Sequence, residues 1–186
     1  MSVTFRIFGF AGSLRVDSFN KAILRAAGEL LPSGVELKIF DLEGIPPFNA
    51  DLVLQPHARV DEFKAGIKAA DALLIATPEY NYSVPGVLKN ALDWGSRPHD
   101  DNSFEDKPVA IMGASVGMLG TARAQYHLRQ SCVYLNMHPL NKPEVMIPFA
   151  QDRIDNDGKL IDAQTRTKIK EQIEGLVAWT KRLKHG

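Results

Sequence analysis

The sequence predicts an α/β domain in which short buried strands alternate with amphipathic helices. Residues 72–76 are continuously apolar, which is typical of a strand buried on both faces of a parallel sheet. Residues 19–30 carry apolar side chains at helical spacing, namely Phe19, Ile23, Ala27 and Leu30. The same alternation of short apolar runs and amphipathic stretches continues along the chain, which predicts strand–helix–strand units and a parallel sheet.

The remaining elements follow from the same patterns. Five strands are predicted, at Val3–Phe10, Val35–Phe40, Ala72–Ala76, Pro108–Ala114 and Val145–Pro148. Five helices are predicted, beginning near Ser18, Val60, Pro85, Thr121 and Asp162. The segment 43–56 has three prolines and is predicted to be irregular. The 186 residues therefore predict a single domain, 1–186, with a five-stranded doubly wound parallel sheet of flavodoxin type and helices on both faces.

Composition excludes several classes of function. Lys plus Arg and Asp plus Glu both number 22, so the zero net charge gives no indication of nucleic-acid binding. No apolar run approaches the roughly 20 residues of a membrane span, and the first residues do not resemble a signal peptide, so we expect a cytoplasmic protein. The single cysteine, Cys132, excludes an internal disulfide and is expected to be a buried apolar residue. The histidines have no spacing that suggests a metal site.

The first candidate loop follows the first strand and leads into a helix. It contains two hydroxyls, a guanidinium and an amide, at Ser13, Ser18, Arg15 and Asn20. Backbone N–H groups at a helix N-terminus favour anions, and these side chains add donors suited to a phosphate. Its glycine spacing matches neither the Walker A loop nor the dinucleotide fingerprint. An ordinary helix cap at Ser18 beside a surface Arg15 is the alternative.

The second candidate loop, Pro78–Gly86, follows the third predicted strand. Its two tyrosines and two prolines predict a stiff loop that can flank a planar ring. Packing of the tyrosines against another subunit is an alternative, and the two uses are compatible because the loop has more than one face.

The third candidate loop follows the fourth strand. Residues 113–117 match the G-x-S-x-G pattern of serine hydrolases, with Ser115 as the nucleophile. A hydrolase also needs an acid and a histidine on later elements, and His127 lies inside the predicted helix while only one further strand is predicted. Gly120 extends the glycine-rich run, which favours close approach of the backbone to a ligand. The geometry favours a binding loop over a nucleophile elbow.

Several motifs together closely resemble the NADPH-dependent FMN reductase family, and within it the bacterial chromate and quinone reductases. The motifs are Gly12-Ser13-Leu14-Arg15 with Ser18 and Asn20, then residues 78–86 and 88–94. Residues 122–130 and 141–144 resemble the chromate-reductase subgroup as well. The resemblance covers nearly the whole chain and is weakest at 43–57 and from Gln151 onwards.

The resemblance implies a role for each matching residue. The FMN phosphate would be held by Ser13, Arg15, Ser18 and Asn20. The flavin ring and ribityl chain would lie along Pro78, Glu79, Tyr80, Asn81 and Tyr82, largely through backbone groups. The other side of the ring would be lined by Ser115, Gly117 and Gly120. Contacts that join dimers into a tetramer would involve Arg123, Tyr126 and Glu144.

The function that follows is an NAD(P)H-dependent oxidoreductase with FMN, working by ping-pong hydride transfer. NADPH or NADH would be the donor, and the acceptors would be quinones and related small molecules such as chromate, azo compounds or free flavin. Because the flavin carries the chemistry, no protein residue is predicted to be catalytic. We expect a homodimer or homotetramer, with no nucleic-acid partner and no membrane insertion.

Three other functions stay open at this stage. A flavodoxin-like carrier would pass single electrons to protein partners, but such carriers usually have a strongly one-signed surface, which a net charge of zero does not favour. A serine hydrolase would depend on Ser115, and a Ser115→Ala variant would test it. An oligomeric scaffold that only retains flavin is the third.

Overall fold

The computed structural model describes residues 5–185 and has the predicted α/β architecture. Its strands are β1 (Phe5–Ala11), β2 (Val35–Phe40), β3 (Ala72–Ala76), β4 (Pro108–Ala114), β5 (His138–Pro139) and β6 (Val145–Ile147). They pair in parallel in the order β2-β1-β3-β4-β5, and β6 also pairs with β4. The predicted bounds of β2, β3 and β4 are confirmed, whereas Val3 lies outside the described residues.

The predicted fifth strand, Val145–Pro148, is found as β6, and an additional two-residue strand, β5, lies beside the other end of β4. His138 and Pro139 pair with the first two residues of β4, and Val145–Ile147 pairs with its last three. The intervening chain carries Pro143, which has no N–H to donate to a ladder. Within residues 5–185, β5 and β6 share one position beside β4, so the sheet has five strand positions but six strands.

Five helices cover the two faces of the sheet: α1 (Phe19–Glu29), α2 (Ala58–Ala69), α3 (Gly86–Gly95), α4 (Ala122–Tyr134) and α5 (Ala163–His185). One core cluster joins α1 and α5 to one face, and a second joins α2, α3 and α4 to the other. Strand β1 contributes to both, since Ile7 belongs to the first cluster and Phe8 to the second. All five residues of β3 are buried, as its apolar composition predicted.

The proline-rich segment 43–57 is irregular except for a short 3-10 helix at Ala50–Leu52. It is fixed to α3 by hydrogen bonds. The carbonyl of Pro46 accepts from Asn90 Nδ2 at 2.9 Å and from Trp94 Nε1 at 2.8 Å, and the N–H of Phe48 donates to Asn90 Oδ1 at 2.7 Å. The segment is thus an ordered loop at the carboxyl end of β2.

Two further predictions concern burial and membranes. Cys132 is fully buried on α4, as predicted, and burial raises the pKa of its thiol to about 12. Among residues 5–185, no helix combines the length and the apolar character that a membrane crossing requires.

The strand order places the candidate loops at one edge. From β1 the chain moves to β2 on one side, and β3 and β4 lie on the other side of β1. The strand order therefore changes direction between β1 and β3, and ligands of such sheets bind outside the carboxyl ends at this point. The loops after β1, β3 and β4 all lie at that edge.

Candidate flavin-binding site

The loop after β1 is held against the loop after β3. The N–H of Gly12 donates to the carbonyl of Ala76 at 2.8 Å, and a Cβ at Gly12 would lie 3.0 Å from Leu88 and 3.1 Å from Pro85. This tight packing accounts for glycine at position 12. The two loops therefore form one continuous surface at the switch point.

The hydroxyls of this loop organise its backbone. Ser18 caps α1, because its side chain accepts from the N–H of Lys21 at 3.4 Å, and the Oγ of the buried Ser13 accepts from the N–H of Arg15 at 3.3 Å. The Arg15 side chain is exposed and makes no hydrogen bond or ion pair within residues 5–185. The predicted donors are thus brought together, with one guanidinium left for a ligand.

Asn20 has a structural role that the sequence did not reveal. Its buried side chain donates from Nδ2 to the carbonyl of Ala114 at 2.9 Å and accepts at Oδ1 from the N–H of Ala114 at 3.0 Å. Both polar atoms of the amide are thereby engaged with the last residue of β4. Asn20 joins the start of α1 to the end of β4, and so fixes the first candidate loop beside the third.

The loop after β3 ends in a tight two-residue turn. Tyr80 and Ser83 exchange backbone hydrogen bonds of 3.1 and 3.0 Å, and the two residues between them, Asn81 and Tyr82, have φ angles of 49° and 65°. This is the geometry of a type I′ turn, which suits Asn and is costly for Tyr. Tyr80 and Tyr82 remain largely exposed. The turn presents two aromatic rings at the carboxyl edge.

Glu79 connects this loop to α4. Its Oε2 accepts from the N–H groups of Arg123 and Ala124 at 3.1 and 3.2 Å, and its Oε1 lies 2.5 Å from two guanidinium nitrogens of Arg123. Partial desolvation lowers the pKa of Arg123, but the hydrogen bonds and charge of Glu79, with contact to Tyr82, outweigh it and the pKa is raised. The guanidinium also lies 3.4 Å from the centre of the Tyr82 ring.

The loop after β4 has one open glycine and one packed glycine. A Cβ at Gly117 would meet only Ser115 Oγ, at 3.9 Å, so a ligand can approach this backbone closely. A Cβ at Gly120 would lie 2.6 Å from the backbone nitrogen of Ile147, and Gly120 has φ of +54°. The close approach predicted for Gly120 is therefore made to β6. Apolar side chains on the same loop are exposed, at Val116, Met118 and Leu119.

The groups of a serine hydrolase are not assembled around Ser115. The Ser115 hydroxyl donates to the carbonyl of Gly117 at 3.3 Å. His127 instead pairs through Nδ1 with Ser83 Oγ at 2.9 Å. His138 pairs with Asp106 at 3.2 Å, at the amino end of β4. Within residues 5–185, no histidine or carboxylate is hydrogen-bonded to Ser115, so the triad geometry is missing.

Two residues at this edge have backbone conformations that the sequence did not indicate. Thr121 precedes α4 with φ of 73°, and Phe149 follows β6 with φ of 49°. Left-handed φ is uncommon for residues other than glycine and asparagine, and such residues often occur at functional sites. Threonine and phenylalanine do not favour a left-handed φ, so no sequence pattern could have predicted these two backbone conformations.

The family model for NADPH-dependent FMN reductases matches residues 5–152. The chain belongs to the NADPH-dependent FMN reductase family. As a member it is an enzyme whose cofactors are FMN and a reduced nicotinamide. The matched range includes the loops after β1, β3 and β4 described above, together with Phe149.

The names of similar proteins and of a similar solved structure are consistent with membership of this FMN reductase family. An NAD(P)H-dependent FMN reductase of Pseudomonas aeruginosa is 51% identical over 99% of this chain and 100% of its own length. A 2-hydroxy-1,4-benzoquinone reductase of a Burkholderia species is 44% identical, over 91% of this chain and 93% of its own. The NAD(P)H:(acceptor) oxidoreductase of Paracoccus denitrificans has a similar structure, with a TM-score of 0.88, 31% identity and coverage of 96% of this chain and 98% of its own.

The residues of this FMN reductase fit the cofactor that the family implies. The donor set at the start of α1 suits a phosphate, since it combines a helix N-terminus, hydroxyls and a guanidinium with no protein partner in the described part of the chain. The space beside Gly117 and the exposed tyrosines of the 80–83 turn suit a planar ring. The site thus offers an anion-binding end for the phosphate and an apolar end for the ring, as FMN requires.

Proposed function

We propose that this protein reduces quinones and related small acceptors with electrons from NADPH or NADH, using FMN bound at the carboxyl edge of the sheet. The single observation that carries the proposal is the combination of groups at the carboxyl edge of the sheet. A phosphate-type donor set at the start of α1 lies beside two loops that carry exposed aromatic and apolar side chains and an open glycine backbone. Such a site binds a phosphorylated planar cofactor and leaves apolar surface for a planar acceptor.

The residues of the site divide into groups that bind the cofactor and groups that position the loops. Arg15 and the backbone N–H groups between Ser13 and Ser18 are proposed to bind the phosphate. The backbone of residues 78–82 and of Ser115 and Gly117 is proposed to lie along the ring. The side chains of Asn20 and Glu79, and the backbone of Gly120, hold these loops in register through the contacts described above.

When bound, FMN supplies the redox chemistry, accepting hydride from the nicotinamide and passing electrons to the acceptor. The protein orients both substrates, and the polar backbone of the loops offers hydrogen bonds to charge that develops on the ring. We propose that donor and acceptor use the same apolar surface in turn, which predicts ping-pong kinetics. Chromate, azo compounds and free flavin are proposed as further acceptors, without a dedicated protein site for any of them.

We also propose that the protein is a homodimer or homotetramer. Tyr126 and Glu144 are exposed, and Val133 and Tyr134 extend an apolar surface along α4. Arg123 already pairs with Glu79 within one chain, and its side chain is 38% exposed, which leaves it able to contact a second copy. Sedimentation of the wild type and of a Tyr126→Ala variant tests this. A monomeric wild type with full FMN affinity would contradict it.

The experiment that tests the function is an anaerobic stopped-flow reaction of the FMN-loaded protein with NADPH. The expected result is rapid bleaching of the flavin band, reversed when benzoquinone is added. Retention of tightly bound FMN without bleaching would overturn the reductase function and favour an electron carrier. An Arg15→Ala sample, loaded at high FMN concentration, is the control that separates loss of binding from loss of electron transfer.

A further inference from the structure

Phe149 is an exposed aromatic residue in a costly backbone conformation. It follows β6 with φ of 49° and ψ of 50°, and 46% of the residue is exposed. Its neighbours Ile147 and Ala150 are buried, yet Phe149 belongs to neither core cluster of the described residues. Both the left-handed backbone and the exposed ring are unfavourable for folding. Packing of the core therefore does not account for phenylalanine at this position.

The surrounding backbone is held by several independent contacts. The N–H of Ala150 donates to the carbonyl of Ser115 at 3.0 Å, and Arg153 Nε donates to the carbonyl of Pro148 at 3.0 Å. Arg153 is itself paired with Asp162, at 2.9 Å. The left-handed conformation is thus imposed by its surroundings, which is the situation in which strain is retained at functional sites.

The position of Phe149 connects two parts of the flavin site. Ser115 pairs with Ile147 and Ala150 on either side of Phe149, so this residue lies beside the loop after β4. A cleft of about 370 Å³ begins two residues later, where Gln151 and Ile154 face Arg15 and Ser18 of the phosphate loop. Phe149 itself is not a lining residue of this cleft, but its chain segment runs from the backbone contacts with Ser115 to the cleft beside the loop after β1.

We propose that Phe149 provides an aromatic wall for a planar conjugated ring bound at this edge. The inference rests on the proposed function, which supplies two rings of this chemistry: the flavin ring of FMN and the quinone acceptor. An exposed aromatic face favours planar apolar rings over small inorganic ions. Phe149 is accordingly a specificity-determining residue, which distinguishes aromatic acceptors from an inorganic acceptor such as ferricyanide.

The test uses the full-length protein and three substitutions, Phe149→Gly, Phe149→Ala and Phe149→Trp. Glycine tolerates positive φ and alanine does not, so the Gly variant is expected to unfold at a higher denaturant concentration than the Ala variant. Ring binding, in contrast, is expected to fall by about five- to tenfold in both and to be kept in the Trp variant, because it depends on the aromatic face. Stability and ring binding thus respond to different features of one residue.

Two measurements identify the ring. The FMN dissociation constant is obtained from quenching of flavin fluorescence, and KM for benzoquinone and for ferricyanide is measured at saturating FMN. A weaker FMN affinity in the Gly and Ala variants supports the flavin, whereas a raised KM for benzoquinone alone supports the acceptor. Unchanged values of both in the Gly and Ala variants would overturn the proposal. If the wild type lacks quinone reduction, the proposed function fails, and the FMN titration still decides the role of Phe149.

Discussion

The carboxylate of Glu79 caps helix α4 by accepting from the backbone N–H of Arg123, although the two residues are 44 positions apart in the sequence. Thr121, at the usual capping position, has a left-handed backbone and makes no side-chain cap. The carboxylate of Glu79 takes over this role and also pairs with the Arg123 guanidinium that stacks on Tyr82. One acid, with a side chain that is only 8% exposed, thus connects the 80–83 turn to the helix that follows the third candidate loop.

Replacing Glu79 is expected to weaken both the fold and FMN binding. A Glu79→Ala variant loses a helix cap, which costs about 1 kcal/mol of the free energy of unfolding. It also releases Arg123 and the turn that carries Tyr80 and Tyr82, so we expect the FMN dissociation constant to rise about tenfold if these residues flank the ring. Denaturant unfolding of the apoprotein and titration with FMN measure the two effects.

Matched variants separate the cap from the charge. Glu79→Gln keeps an oxygen acceptor for the helix N–H groups but loses the ion pair, and is expected to fall between wild type and Glu79→Ala. Glu62→Gln removes the partner of Arg59 in an exposed pair on α2, and is expected to leave FMN affinity unchanged. An Ala variant with wild-type stability and affinity would contradict the role assigned to Glu79.

Arg15 is expected to recognise the phosphate of the cofactor. A charge-assisted hydrogen bond contributes about 1.5–3 kcal/mol, so Arg15→Ala should raise the FMN dissociation constant roughly 10- to 100-fold. Riboflavin has the same ring without the phosphate, and its affinity should be unchanged. Fluorescence titration of wild type and variant with both flavins measures the difference.

The control for this prediction is the nearby Arg25, which also lines the cleft but donates to the carbonyl of Gly158 at 3.3 Å. Arg25→Ala is expected to change FMN affinity much less than Arg15→Ala. Equal losses for FMN and riboflavin in Arg15→Ala would show that Arg15 supports the loop and does not bind the phosphate.

Gly117 and Gly120 are expected to respond in opposite ways to alanine. At Gly120 the added Cβ would collide with the backbone of Met146 and Ile147, and φ is positive, so Gly120→Ala should be strongly destabilising in denaturant unfolding. At Gly117 the Cβ would enter open space, so Gly117→Ala should keep its stability and weaken FMN binding. Normal FMN affinity in Gly117→Ala would remove this residue from the ring site.

The sheet was predictable because its strands are apolar and its helices amphipathic. The bounds of β3 and β4 coincide with their buried apolar runs. The three candidate loops were identified because ligands of parallel sheets bind outside the carboxyl ends of the strands. The two-residue strand β5 was missed because it is too short to show any periodicity.

The side-chain contacts that connect the loops of the site were not predictable in the same way. Asn20 and Glu79 lie in motifs that suggest ligand contact, but their side chains are engaged with Ala114 and α4, contacts that span 94 and 44 residues of sequence. The missing side chain of Gly120 leaves room for the backbone of β6, a contact that the glycine-rich run did not indicate. Such partners are fixed only when the helices pack on the sheet, so no local pattern contains them.

Protonation of Asp162 should make the free energy of unfolding depend on pH. Asp162 pairs with Arg153, which in turn donates to the carbonyl of Pro148, next to Phe149. Its Oδ2 accepts from the N–H of Thr165 at 2.7 Å and from Arg153 at 2.9 Å. Hydrogen bonds from Thr165, with a smaller contribution from the charge of Arg153, lower the pKa of Asp162 below its ordinary value. The folded protein therefore holds the proton less tightly than the unfolded chain, so this stabilisation is present above pH about 4 and is lost as the pH falls through the lowered pKa.

Asp162→Asn keeps a capping oxygen and removes the charge, and should lower the free energy of unfolding by about 1 kcal/mol at pH 7. The difference from wild type should shrink towards pH 3, as the wild-type carboxylate becomes protonated. Denaturant unfolding at pH 7, 5, 4 and 3 measures this, with Asp157→Asn in the exposed turn as the control. A difference between Asp162→Asn and wild type that stays constant over this range would show that the charge of Asp162 does not contribute, and that the Arg153 pair does not stabilise the Phe149 segment.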